Sequence, residues 1–164
     1  MAATPFSSES FEAVRSPAGF EEALAVRYEV FCDEQGIPRE LERDPEDDLA
    51  LHVVVRDTSG RVAATGRVLR QSGDGRLAAL SAPASAGDRA RVGRMAVRAA
   101  ARRGGLGRAV IERLEAEARR AGLAQAVLHA QLSAAPFYER CGYRREGPIF
   151  DEVDIPHVEM RKDL

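Results

Sequence analysis

Nothing in this 164-residue chain approaches the roughly 18 consecutive apolar residues that a membrane-spanning helix needs. Met1 to Ser10 hold neither the basic cluster nor the apolar stretch of an export signal, so a cytoplasmic protein with no membrane partner is expected. Cysteine is scarce: Cys32 and Cys141 stand far apart, without metal-ligand spacing, and suit a reducing compartment. The three histidines are separated by 77 and 28 residues, which matches no local ligand pattern, and the acidic stretch lacks a calcium-loop signature. No metal is expected. No Gly-x-Ser-x-Gly is present, so nothing points to a hydrolase-type serine nucleophile. A net charge of −2 gives no global attraction to nucleic acid, and no internal repeat occurs.

What remains is an ordinary globular composition, 45% hydrophobic and 30% charged, long enough for one domain with a proper core. We read a single domain over 1–164, with 1–10 as a flexible tail. The charge is unevenly placed. From Arg89 to Arg120 ten arginines face three glutamates, a local balance of +7, while Asp33 to Asp48 holds eight acids against two arginines, a balance of −6. A basic stretch favours a polyanionic ligand and an acidic one a cationic ligand; two solvated faces are the plain alternative.

Periodicity and punctuation give the element order. A strand is expected over Phe11–Arg15. Ser16-Pro17 then caps a helix carrying Phe20, Leu24, Tyr28 and Phe31 at helical spacing to about Cys32, followed by a polar loop to Asp48. Leu49–Asp57 and Arg61–Arg70 read as a hairpin about Thr58-Ser59-Gly60, and Gln71–Asp88 as a long loop. Then come a strand over Arg91–Val97, a helix over Arg108–Ala121, a strand over Gln125–Leu132 and a short helix over Ala134–Cys141. Strands over Tyr143–Gly147 and Val153–Met160 close the chain. This order implies an α/β protein with a mixed sheet of about seven strands covered by helices.

Between the Arg91–Val97 strand and the next helix lies Arg102-Arg103-Gly104-Gly105-Leu106-Gly107-Arg108. Three glycines allow a tight turn with inward N–H groups at the positive end of a helix dipole, a seat for a pyrophosphate. A P-loop would need Lys followed by Ser or Thr where Arg108-Ala109 stands. A dinucleotide fingerprint would need Gly or Ala at Val110. The pattern that fits is Arg-x-x-Gly-x-Gly, Arg102 to Gly107, followed some thirty residues on by Phe137-Tyr138-Glu139-Arg140-Cys141-Gly142-Tyr143.

Together these segments resemble the acyl-CoA loop and the FYxxxGF/Y segment of the GNAT superfamily of N-acetyltransferases, in the expected order from Phe11 to Met160. Phe31 to Pro38 with Asp44, Asp48 and His52, then His129-Ala130-Gln131 and Phe150 to Met160, resemble its ElaA-like branch. The resemblance implies a mostly antiparallel sheet with one parallel, splayed strand pair and about four helices. It also implies acetyl-CoA as cosubstrate, a small-molecule or peptide primary amine as acceptor, and relatives that often pair as homodimers. The cofactor would lie on Met95, Ala96 and Val97, on Arg102, Arg103, Gly104, Gly105, Leu106, Gly107 and Arg108, and on Phe137. Backbone groups of Met95 and Val97 would pair with its pantetheine arm, and an N–H near Val97 would hold the thioester oxyanion.

Acyl transfer to an amine needs an acid for the departing thiolate and a route for the amine's proton. Tyr138 fits the acid by its chemistry and its place in the segment; a tyrosine packed in the core is the plain alternative. Many family members carry a base glutamate on the strand before the glycine turn, but Arg91–Val97 has no acid. Glu34, His52, His129, Glu152 and His157 remain as candidate bases, His129 and Glu34 foremost, each histidine having a sheet-bound structural alternative. Gln35, His52, Gln131 and His157 are expected to border the acceptor. A non-catalytic acyl-CoA sensor of the same fold is the rival reading. A nucleic-acid module is disfavoured for want of interleaved aromatics.

Overall fold

The computed structural model describes residues 10–14 and 16–164. The tail expected over 1–10 therefore falls outside the described residues except for Ser10, as does Arg15. Strand β1 is Phe11–Ala13, and helix α1, Pro17–Arg27, starts where the Ser16 hydroxyl oxygen accepts from the Gly19 N–H at 3.1 Å, with Pro17 in its first turn. The helix runs on as a π-helical turn, Tyr28–Glu34. The stretch expected as a plain loop folds into a short helix α2, Arg39–Glu42, and a 3₁₀ turn, Pro45–Asp48, closed by reciprocal capping between Asp44 and Asp47.

Strands β2, Leu51–Arg56, and β3, Val62–Gln71, form the expected hairpin. The long 71–88 segment contains a two-residue strand β4, Leu77–Ala78, on β3. Strand β5, Arg89–Val97, precedes helix α3, Leu106–Arg120, which begins two residues before the expected Arg108 because Gly105 caps it in the left-handed region at φ +80°. Strand β6, Gln125–Gln131, helix α4, Ala135–Arg140, and strands β7, Arg144–Glu152, and β8, Ile155–Asp163, complete the chain. The final hairpin is longer than the sequence suggested. β7 passes Gly147 through an irregularity between Glu146 and Phe150, and Val153-Asp154 form a turn with both φ positive rather than opening β8.

The strands form one eight-stranded sheet in the order β1-β2-β3-β5-β6-β8-β7, with β4 on the side of β3. All neighbours are antiparallel except β5 and β6. Helix α3 buries Leu106, Val110, Ile111, Leu114 and Ala118 at helical spacing, packing with Val53, Val55, Val68, Val92 and Leu128. Helix α1 covers the opposite face, where Ala23, Val26 and Val30 meet Val54, Val62 and Ala96. No helix among the described residues is long and apolar enough to cross a membrane.

One irregularity shapes the site. Thr65 pairs with Ala96 and Arg67 with Gly93, so Gly66 alone faces both Arg94 and Met95. This bulge bends β5, and Arg94 takes φ +50° to make it. Gly66 has no room for a side chain: a Cβ there would lie 2.7 Å from the Met95 sulfur and 2.8 Å from Leu114 Cδ1. Gly66→Ala is expected to destabilise the fold by about 1–3 kcal/mol through overpacking, measured by urea denaturation. An unchanged midpoint would show that Met95 and Leu114 simply move aside.

Candidate active site

β5 and β6 pair only at Ala90–Ala126 and Arg91–Val127. Beyond that point β5 stays with β3 and β6 with β8, so the parallel pair opens into a gap. The Arg98 N–H donates to the Ala63 carbonyl at 2.9 Å on the β3 side. Alternation along the strand therefore turns the backbone groups of Met95 and Val97 to the open side. There the Val97 carbonyl accepts from Arg102 Nε at 3.0 Å. The gap is the floor of a cleft of about 1060 Å³ that runs from the glycine turn to the β7–β8 hairpin.

At the turn end, Arg102, Arg103, Gly105, Leu106, Gly107 and Arg108 line the cleft, while Gly104 faces a shallower neighbouring depression. Gly107 lets the start of α3 approach Phe137, whose ring carbon would be 3.2 Å from an added Cβ. Arg108 leans on Glu112 at 3.0 Å, and Arg102 is held by both oxygens of Glu34 at 2.7 and 2.9 Å. Arg103 makes no ion pair with any described residue. Three guanidinium groups, open backbone amides and a helix N-terminus suit a polyphosphate, and the gap beyond suits an extended arm. The residues present thus fit coenzyme A.

Tyr138 lies on α4 and lines the cleft, its ring edge-on to Phe137 at 5.0 Å and to Tyr143 at 6.0 Å. Its hydroxyl is not engaged by another described side chain. Burial, with a lesser contribution from Cys141, pushes the phenol above its ordinary value, so it holds its proton throughout the physiological range. Tyr143 is the packed tyrosine: its hydroxyl donates to Glu115 at 3.0 Å, which also accepts from Lys162.

The far end of the cleft is charged. Arg67 reaches from β3 to Asp44 at 2.7 and 2.9 Å, to Asp47 at 2.7 Å and to Glu46 at 2.8 Å. Arg94 reaches Asp44 at 2.9 Å. These arginines clamp the acidic 42–47 segment as one wall. The opposite wall carries His129, which takes Arg91 Nη2 at 2.7 Å on Nδ1, and Glu152, whose two oxygens lie 3.4 Å from His129 and 3.5 Å from His157. The other ring nitrogen of His129, Nε2, faces Glu159 at 3.4 Å. Gln131 and Gln35 bridge the two walls by a 2.7 Å hydrogen bond between residues 96 apart in sequence.

The chain belongs to the acetyltransferase (GNAT) domain family, which it matches over residues 13–164. It is 34% identical over 144 residues to the uncharacterized N-acetyltransferase YjcF of Bacillus subtilis (strain 168), covering 87% of this chain and 91% of that protein. Its structure is similar to an acyl-CoA N-acyltransferase from Pseudomonas aeruginosa, with TM-score 0.74, 26% identity, and coverage of 93% and 97% of the two chains. It shares its fold with Escherichia coli ElaA at TM-score 0.72 and 22% identity, covering 93% and 97%. The fold is that of the acyl-CoA N-acyltransferases, and the cosubstrate that goes with it is an acyl-CoA.

Of the residues singled out in the sequence, Glu34, Gln35, Met95, Ala96, Val97, His129, Gln131, Phe137, Tyr138 and His157 all reach this one cleft, with the turn residues except Gly104. His52 does not. It is buried on β2 against Phe20, and its Nε2 lies 3.0 Å from the Asp47 carbonyl, so it supports the acidic wall from behind instead of bordering the acceptor. The 71–88 segment does not line the cleft either; Arg70 holds it through the Leu80 carbonyl at 3.0 Å. Sequence reasoning missed Arg67, Arg91 and Arg94. The signal available was an arginine, Arg67, inside the otherwise uncharged run Val62–Leu69. Among the described residues no group of three or more His, Cys, Asp or Glu is arranged to hold a metal ion.

Proposed function

We propose that this protein transfers an acetyl group from acetyl-CoA to a primary amine by direct attack. The observation that carries the reading is the meeting, in one cleft, of the open Met95 and Val97 backbone, the glycine turn with its arginines, and the protonated Tyr138 phenol. Acetyl-CoA supplies the activated thioester. Arg103 and Arg108, with the amides of the turn, hold its phosphates, and the N–H groups facing the gap hold its arm and polarise its carbonyl. As the amine's nitrogen forms the new C–N bond and the C–S bond breaks, Tyr138 gives its proton to the sulfur. The proton shed by the amine passes to solvent in the cleft and Tyr138 is reprotonated, so the products are an amide and free CoA thiol. Glu34 is engaged by Arg102 and His129 by Arg91, so neither presents a free base in this arrangement.

The test joins titration calorimetry with acetyl-CoA to thiol release over a broad amine panel, with longer acyl thioesters alongside. Binding and thiol release with acetyl-CoA preferred are expected; a folded sample that gives no heat with acetyl-CoA overturns the reading. Arg103→Ala is expected to weaken binding by about tenfold at low salt and by less at high salt, because a solvent-facing charge contact is screened.

A further inference from the structure

After internal pairing, one guanidinium in the acceptor half of the cleft has no carboxylate. Arg67 and Arg94 are ion-paired with Asp44, Glu46, Asp47 and Glu42 at 2.7–3.4 Å. Arg91 lines the same space, yet no described acid lies within 4.0 Å of it. Its polar contacts are His129 Nδ1 at 2.7 Å and the Gln71 amide oxygen at 3.5 Å. A guanidinium carries five donors in a fixed fork, so most of its donors have no protein partner of matching charge. Beside it Gly93 stands on the same strand face, and a Cβ there would meet nothing within 4 Å, which leaves space in front of the fork.

The register says where that fork sits. Arg91 pairs with Val127, the last rung before the strands part, so His129 stands level with Gly93. The Arg91–His129 contact therefore draws the guanidinium two residues up the gap, about two strand rises of ~3.3 Å short of Met95. Glu152 and Glu46 also face this space. They disfavour a dianion such as phosphate and favour a ligand that carries a positive charge as well.

Resting on the acyl-transfer reading, we propose that the acceptor is a short amino-carboxylate, an amino acid or close analogue. Its carboxylate would sit on Arg91 and its amino group would be directed past Gly93 toward Met95. The spacing between fork and gap is that of a molecule whose amine and carboxylate lie a few bonds apart. It does not suit a lysine side chain on a protein, which carries no carboxylate near its amine.

The experiment compares kcat/KM, by thiol release, for matched sets: an amino acid, its carboxamide and its decarboxylated amine, across several side chains. Wild type is expected to prefer the free carboxylate by at least tenfold. Arg91→Gln is expected to lower that preference ratio by about tenfold or more, and Arg91→Lys to retain part of it. Calorimetry with acetyl-CoA on each variant establishes that the cleft is formed. Should Arg91→Gln fail to fold, the ratio in Arg91→Lys decides: an unchanged ratio overturns the proposal. Equal use of amides or decarboxylated amines by wild type also overturns it while leaving acyl transfer standing. Wild type that releases thiol with no amine overturns both.

Discussion

Tyr138→Phe is expected to lower kcat about 10²–10⁴-fold, the range attributed to one general acid, while the Kd for acetyl-CoA and the KM for the amine change by less than about threefold. The split follows from the geometry. The ring is held edge-on by Phe137 and Tyr143, and both contacts survive loss of the hydroxyl. No described side chain uses that hydroxyl, so removing it strands no buried partner. What is lost acts only as the C–S bond breaks, and such a loss appears in kcat and not in binding. The pH profile gives a second check. An acid must be protonated to act, and its rate contribution disappears as pH rises through its pKa. Burial holds the Tyr138 phenol above its ordinary value of 10, so wild type should show no alkaline loss of kcat up to about pH 10 from this group. A variant retaining kcat within about threefold would return Tyr138 to the role of a packed ring. A wild-type protein with acetyl-CoA affinity but no turnover would favour the sensor.

The sequence carried the cofactor half of this site more legibly than the acceptor half, for a physical reason. A phosphate seat needs left-handed backbone and close approach, and only glycine supplies these cheaply; Gly105 and Gly107 are therefore visible as letters. Tyr138 was visible because its segment resembles one of the family's and a phenol has the chemistry of an acid. The acceptor half is built from long-range pairing that no local pattern encodes. His52 looked like a polar group on a strand, but the 3₁₀ turn over Pro45–Asp48 claims its ring. Arg91 became informative only once the register with β6 set it beside His129, with no described acid in direct ion-pair contact. The Val153-Asp154 turn was missed because valine rarely takes positive φ, so the start of β8 was placed two residues early.

The largest expected loss of stability lies behind the acceptor wall. Arg27 is almost fully buried and binds Glu42 Oε1 at 2.8 Å, the Glu42 carbonyl at 2.7 Å, and Asp47 at 2.7 and 3.1 Å. Arg27→Met keeps much of the volume and leaves two buried carboxylates without their shared cation, which is expected to cost about 3–5 kcal/mol at pH 7. The loss should appear as a lower urea midpoint with an unchanged slope. Burial raises the Asp47 pKa, but the hydrogen bond and charge of Arg27 outweigh it, with help from Arg67, and hold the carboxyl well below 3.8. Its stabilising contribution is thus full above the unfolded value and disappears as pH falls through the folded one. Glu42 runs the other way: burial outweighs Arg94 and Arg27 and raises its carboxyl above 4.5, so it detracts from stability as pH rises past that value. In Arg27→Met both carboxyls shift upward, so the gap to wild type should be widest near neutrality and narrow as falling pH protonates them. Adding Glu42→Gln and Asp47→Asn to Arg27→Met should recover part of the loss, because the cost is buried charge that Arg67 and Arg94 offset only in part, rather than missing volume. If the triple variant is no more stable than Arg27→Met, packing and not electrostatics holds the 42–47 segment against β3. The same segment presents Asp44 and Glu46 to the cleft, so the triple variant also tests whether the acceptor wall keeps its shape once its buried charges are gone.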